Sequence, residues 1–189
     1  MILLNYNKCI AITNLEISLY ACIKKLNRKP ELVITDSQVF EEVNKILPKE
    51  IALTSFSILM ADYKGFLKTA LEGVNSITKL KDGDRVLVSE GCTHHRQCSD
   101  IGTVKIPFWL ERFSGAKLNI ETCSGSDFPE TLEGVKLVVH CGGCMISEKE
   151  IANRMEQAAL EEVPFTNYGI LIAKVKGILD RTEHRPIPQ

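Results

Sequence analysis

With 189 residues, the chain is long enough for one large or two small domains with real cores. Its 23 basic and 24 acidic side chains nearly cancel, which leaves no electrostatic footprint for nucleic acid or anionic lipid. No apolar run reaches the length of a secretory core or a membrane span, so a cytoplasmic protein is expected, and an odd count of seven cysteines then points to thiol or metal chemistry rather than a disulfide framework.

Lys8 to Thr13 predicts a short apolar strand, and Thr13-Asn14-Leu15-Glu16 has capping-box spacing for a helix with Leu15, Leu19, Cys22, Ile23 and Leu26 on one face. Asn27 to Pro30 ends that helix. Glu31 to Thr35 is the next strand, and Asp36-Ser37 caps a helix that turns Val39, Phe40, Val43, Ile46 and Leu47 inward before Pro48 stops it. Ile51 to Thr54 repeats the strand, Ser55 or Ser57 repeats the cap, and an amphipathic stretch runs on toward Leu80. This βαβαβα order with short connections implies an α/β section with a mostly parallel sheet. So small a sheet leaves open edges, and an open edge favours pairing with a second copy.

Lys79-Leu80-Lys81-Asp82-Gly83-Asp84 is polar and turn-rich, and divides a first section, residues 1–80, from a second, residues 81–189. The second is also of α/β type. Arg85 to Ser89 is a strand ending at Glu90-Gly91-Cys92-Thr93-His94-His95. Val104 to Phe113 reads as a helix with Pro107 in its first turn, Trp109 in its core-facing pattern and Gly115 as its stop. Lys117 to Glu121 is a further strand, followed by a loop from Thr122 to Pro129 that holds Cys123. After the strand that ends at His140, Ser147-Glu148-Lys149-Glu150 is a second capping box, opening a helix through Ile151, Met155, Ala158 and Ala159. Pro164-Phe165-Thr166 is a short strand, and Asn167-Tyr168-Gly169 leads into a last apolar helix.

The chemistry concentrates in Leu137-Val138-Val139-His140-Cys141-Gly142-Gly143-Cys144, an apolar run that stops at two cysteines separated by two glycines. It reads as a buried strand whose carboxyl end turns outward, the edge where open α/β sheets bind ligands. Gly142 and Gly143 lack a Cβ, so their amides can come close to an inorganic core. If the strand from Arg85 lies in the same parallel sheet, Cys92 and His94 emerge beside His140, Cys141 and Cys144. Thiolates suit iron-sulfur clusters or zinc. Cys92, Cys141 and Cys144 with one of His94 or His140 would close a tetrahedral zinc site; the same cysteines would hold a 4Fe-4S cluster with one iron left to a weaker ligand. Spacing leaves both open beside a third alternative, a redox dithiol of Cys141 and Cys144. Cys98 and Cys123 are spare thiols, and Glu90 and Asp100 are nearby carboxylates. Asp36, Ser37, Thr54 and Ser55 read as helix caps, while Asn167 and Tyr168 stand at a strand end facing the same crevice.

Cys92-Thr93-His94 followed by His140-Cys141-Gly142-Gly143-Cys144 resembles the CxH...HCxxC signature of HydF, the maturation factor of iron-iron hydrogenases. Thr35-Asp36-Ser37-Gln38, Thr54-Ser55-Phe56-Ser57, Lys105-Ile106-Pro107 to Trp109-Leu110, Asp127-Phe128-Pro129 and Thr166-Asn167-Tyr168-Gly169 are similar to HydF segments in the same order, so that the resemblance covers most of the chain. It implies a homodimeric scaffold rather than a conventional enzyme. Cys92, Cys141 and Cys144 become the ligands of a 4Fe-4S cluster, and His94 and His140 become candidates to tune or transiently ligate it. The implied cargo is a di-iron precursor built by the partners HydE and HydG and delivered to the hydrogenase HydA. Such proteins normally begin with a GTPase domain, yet no GxxxxGK[ST] stretch is present to cradle phosphates, so GTP hydrolysis is not expected of these residues. The rival readings are a structural zinc module and a CxxC thiol-disulfide oxidoreductase.

Overall fold

A computed structural model of the chain describes residues 9–12, 30–91 and 101–182. Three short strands, β1 (Cys9–Ile12), β2 (Leu32–Thr35) and β3 (Ala52–Ser55), form an all-parallel sheet in the order β1-β2-β3. The connections carry the caps expected of them. Asp36 accepts a hydrogen bond from the Gln38 amide at 2.8 Å and opens a 3-10 turn, Ser37–Val39, that leads into α1 (Phe40–Ile46). Ser55 caps α2 (Phe56–Tyr63) by accepting from the Ile58 amide at 3.3 Å.

The amphipathic stretch toward Leu80 is not one helix. Gly65 adopts the left-handed region at φ 75°, which a Cβ would resist, and the chain breaks into α2, α3 (Leu67–Gly73) and a 3-10 turn, Val74–Lys79. The expected helix from Leu15 to Leu26 lies outside the described residues.

The second sheet is also all parallel, with β4 (Arg85–Glu90), β5 (Asn119–Ser124), β6 (Val135–His140) and β7 (Phe165–Asn167) in the order β5-β4-β6-β7. This bears out the α/β class with two small parallel sheets. From β4 the chain goes outward to β5 and then crosses back over β4 to β6, so the topological switch point falls between β4 and β6. Between β4 and β5 a π-type turn, Ile101–Lys105, precedes α4 (Ile106–Ser114), which ends at Gly115 with φ 73°. β5 begins later than the apolar pattern suggests and carries Cys123 within it, because it is an edge strand facing solvent and has no buried face to advertise. α5 (Glu148–Leu160) is capped by Ser147, which accepts from the Glu150 amide at 3.1 Å.

The two sheets share one hydrophobic cluster that includes Phe40, Leu53 and Phe66 on one side and Leu137, Phe165 and Ile170 on the other. Its hinge is α6 (Tyr168–Val175), in which Tyr168 to Ala173 are six successive buried residues, the mark of a helix enclosed on all sides. Gly169 makes that enclosure feasible, since a Cβ there would stand 2.9 Å from both Ser55 Oγ and Ser57 Cβ. The chain ends its described course in α7 (Leu179–Thr182), which lies against β3, where Thr54 Oγ1 donates to Thr182 O at 3.5 Å, while Arg181 Nη2 fastens the turn before β3 by donating to Pro48 O at 2.7 Å and Ile51 O at 3.0 Å. The β3 edge of the first sheet is thereby covered, and β1 forms its other edge. Among the described residues no helix is long and apolar enough to cross a membrane.

Candidate metal centre

At the switch point the strands end in step. Ser89 pairs with His140, and the ladder extends one bond further as the Cys141 amide donates to Ser89 O at 2.8 Å. Cys141 is therefore fixed as the first residue beyond the sheet, half-buried, and Gly142 and Gly143 turn the backbone so that Cys144 is exposed. Gly143 takes φ 67°, and a Cβ on it would come within 2.5 Å of Ile151 Cδ1, so the turn needs glycine there for two separate reasons.

The Cys141 sulfur accepts two backbone N–H groups, from Gly91 at 3.0 Å and from Gly143 at 3.3 Å. Amides aimed at a sulfur favour its anionic form and, in a thiolate-bound cluster, lower the charge density on the ligand. Cys141 and Cys144 both line a cavity of about 300 Å³. The first section contributes Asp36, Ser37, Phe56, Ser57 and Met60 to its lining, and α6 contributes Ile172. Glu90 and Tyr168 add a paired carboxylate and phenol, with Tyr168 Oη donating to Glu90 Oε1 at 3.3 Å. Gly102 packs so tightly against that pair that a Cβ would collide with both oxygens.

His140 is directed elsewhere. Its ring is fully buried, stacked on Phe165 at 5.6 Å between centroids and meeting Phe66 edge-on at 6.4 Å. Nδ1 lies 2.8 Å from the Cys141 carbonyl oxygen and Nε2 lies 3.2 Å from Arg154 Nη1, an arrangement that assigns the proton to Nδ1 and leaves Nε2 to accept. Burial pushes its pKa down to about 4, only partly offset by the bond to Cys141, so the ring is neutral at physiological pH. Both nitrogens are occupied, and His140 shapes the loop from behind rather than turning a lone pair into the cavity.

Arg154 holds that arrangement. It is itself buried, on the sheet-facing side of α5, and its guanidinium bonds Glu150 Oε1 at 2.8 Å, Ser89 Oγ at 3.2 Å and Gly125 O at 2.6 Å besides His140. Cys123 is half-buried on β5 beside Ser89, and burial pushes its thiol above the usual range. Asn167 serves two elements, capping α6 through the Ile170 amide at 2.9 Å and donating to Ser57 O at 2.9 Å. Cys92, His94, His95, Cys98 and Asp100 lie outside the described residues. Arg154, Met60 and Lys64 belong to the site without being marked by any motif, whereas Ser57 stands in a segment the sequence already marks.

A family model for the Hydrogen maturase F tetramerization domain matches residues 68–184, more than half of the chain, and one for the Hydrogen maturase F dimerization domain matches residues 3–65. The chain belongs to the HydF family. Its membership agrees with the motif resemblance and places its role in hydrogenase maturation. Both matched HydF domains are self-association domains and neither is a catalytic one. A comparison with curated proteins returns no match. The cavity is built from both HydF segments, with Ser57 and Met60 from the dimerization match and the cysteines from the tetramerization match.

Among the described residues no group of three or more His, Cys, Asp and Glu side chains is close enough to hold a metal ion. The donors that are described nevertheless suit a thiolate-bound inorganic core: two cysteines on one cavity, a glycine turn between them, and a sulfur already receiving two amides.

Proposed function

We propose that this HydF chain is a cytoplasmic scaffold in hydrogenase maturation, in which Cys92, Cys141 and Cys144 hold a 4Fe-4S cluster with an exchangeable fourth position. The neighbouring cavity receives the di-iron precursor made with HydE and HydG and releases it to HydA. The observation that carries this reading is the hydrogen bond from Gly91, the residue before Cys92, to the Cys141 sulfur, which ties the two strand ends bearing the cysteine motifs at one point. Glu90 and Ile101, on either side of residues 92–100, both line the cavity with Cys141 and Cys144.

When bound, such a cluster would supply an iron whose ligand set Cys92, Cys141 and Cys144 leave incomplete. The chain does the rest. Cys141 and Cys144 anchor the cluster, amides from Gly91 and Gly143 spread the sulfur's charge, and Phe56, Met60 and Ile172 give the cavity an apolar lining that sheds water. Glu90 and Tyr168 offer a carboxylate and a phenol at the edge of the same space. Anchoring and release are thus served by different groups. Two copies pair through the β1 edge of the first sheet, because α7 covers the β3 edge.

Anaerobic reconstitution with iron and sulfide tests this. Wild-type protein is expected to turn brown with broad visible absorbance, and Cys92→Ser, Cys141→Ser and Cys144→Ser each to lose most of it. A colourless protein that retains stoichiometric zinc would replace the reading with a structural zinc module. Disulfide reduction that persists in Cys92→Ser would point instead to a Cys141–Cys144 dithiol.

A further inference from the structure

We infer that Lys64, at the end of α2, is a positioning residue for the cysteine turn, so that the HydF dimerization segment builds the metal centre as well as an assembly surface. The inference rests on the reading of Cys141 and Cys144 as cluster ligands.

Lys64 is the C-terminal cap of α2 and is half-buried. Its ammonium group donates to Gly143 O at 2.6 Å and to Ile146 O, two carbonyls on the turn that carries Cys144. Among the described residues its ammonium pairs with no carboxylate and bonds only carbonyl oxygens of this turn. Gly143 O accepts also from the Ile146 amide at 3.3 Å, so one lysine and one backbone bond close the loop on itself.

The other end of α2 is fastened to the same region. Ser57 Oγ accepts from the Gly169 amide at 3.1 Å, Ser57 O accepts from Asn167 Nδ2 at 2.9 Å, and the bare Cα of Gly142 faces Ser57 so closely that a Cβ would stand 3.4 Å from Ser57 Cα. A helix pinned at Ser57 and at Lys64 acts as a brace along the turn. His140 secures the Cys141 carbonyl, and Lys64 secures those of Gly143 and Ile146. A carbonyl pair could be satisfied by water or by a neutral donor. An ammonium does more: it places a positive charge at a turn whose thiolates bind an anionic cluster, which favours the more negative, reduced state.

The test compares Lys64→Met, Lys64→Gln and Lys64→Arg with Lys68→Met, a control at a side chain 91% exposed whose ion pair with Glu72 is 3.9 Å long. On apo protein, amide exchange in a peptide spanning residues 141–147 is expected to speed up about tenfold or more in Lys64→Met, with Lys64→Arg and Lys68→Met near wild type. On reconstituted protein, iron loss to a chelator should rise about tenfold in Lys64→Met, and the reduction potential should fall in Lys64→Met and Lys64→Gln while Lys64→Arg restores it. Unchanged exchange in Lys64→Met would overturn the inference, and so would equal acceleration throughout β4 and β6, which would mean general destabilisation. If Lys64→Met does not fold, Lys64→Gln decides: a potential equal to that of wild type would overturn the charge role. Should wild-type protein take up no cluster at all, the proposed function falls, while the exchange measurement still decides whether Lys64 holds the turn.

Discussion

Arg154 Nη1 stands 3.2 Å from His140 Nε2, and through that imidazole the α5 helix is connected to the carbonyl of Cys141. A buried guanidinium is costly unless its donors are used, and here they reach Glu150, Ser89, Gly125 and His140. In Arg154→Met the acceptors on Ser89, Gly125 and His140 lose their donor inside the protein. Glu150, with a side chain 41% exposed, can return to water, so no carboxylate is stranded. The expected cost is about 2–3 kcal/mol, read from urea unfolding, with Arg154→Lys recovering only part because it lacks the planar fork.

Acid should loosen the same network. His140 titrates near 4 in the folded chain against an ordinary 6.5, so the unfolded state binds more protons between those values. Its contribution is complete above about pH 6.5 and is lost as pH falls toward 4, amounting to roughly 3 kcal/mol at most. Unfolding curves at a series of pH values should show this slope in wild type and lose it in His140→Gln, which keeps an acceptor for Arg154 and does not titrate.

Gly73 closes α3 directly against the backbone of β7, where a Cβ would overlap the carbonyl of Phe165. Gly73→Ala is therefore expected to lower stability by about 1–3 kcal/mol although alanine is the better helix former. A thermal melt checks it: an unchanged or raised midpoint would show that the two elements can separate freely.

Assembly gives an independent check. The chain contains both HydF self-association segments, and its first sheet ends at β1 with no further strand among the described residues. Light scattering at micromolar concentration should report a mass at least twice that of one chain. A single-chain mass would remove β1 as a pairing edge.

Much of this architecture could be read from the chain itself. Short β-branched runs such as Leu32-Val33-Ile34-Thr35, each followed by a capping Asp or Ser, mark successive βα units, and the abrupt stop at Cys141 marks the ligand edge. The break at Gly65 was hidden because the apolar pattern continues on both sides of it. β5 was displaced because Glu121, Thr122 and Cys123 alternate in no apolar pattern on a solvent-facing edge. Arg154 and Lys64 leave no such local mark. Arg154 resembles any surface residue of a charged helix until α5 is laid on the sheet, and Lys64 acts on carbonyls 79 and 82 positions away, which no local spacing encodes.

Cys141 and Cys144 are proposed to share their cavity with a thiolate-held iron-sulfur cluster. Iron, acid-labile sulfide and zinc counted per chain in anaerobically purified protein test it most directly. About four iron and four sulfide with little zinc are expected, falling together in Cys141→Ser. Protein carrying zinc without sulfide, or wild type and Cys141→Ser holding equal iron, would contradict it.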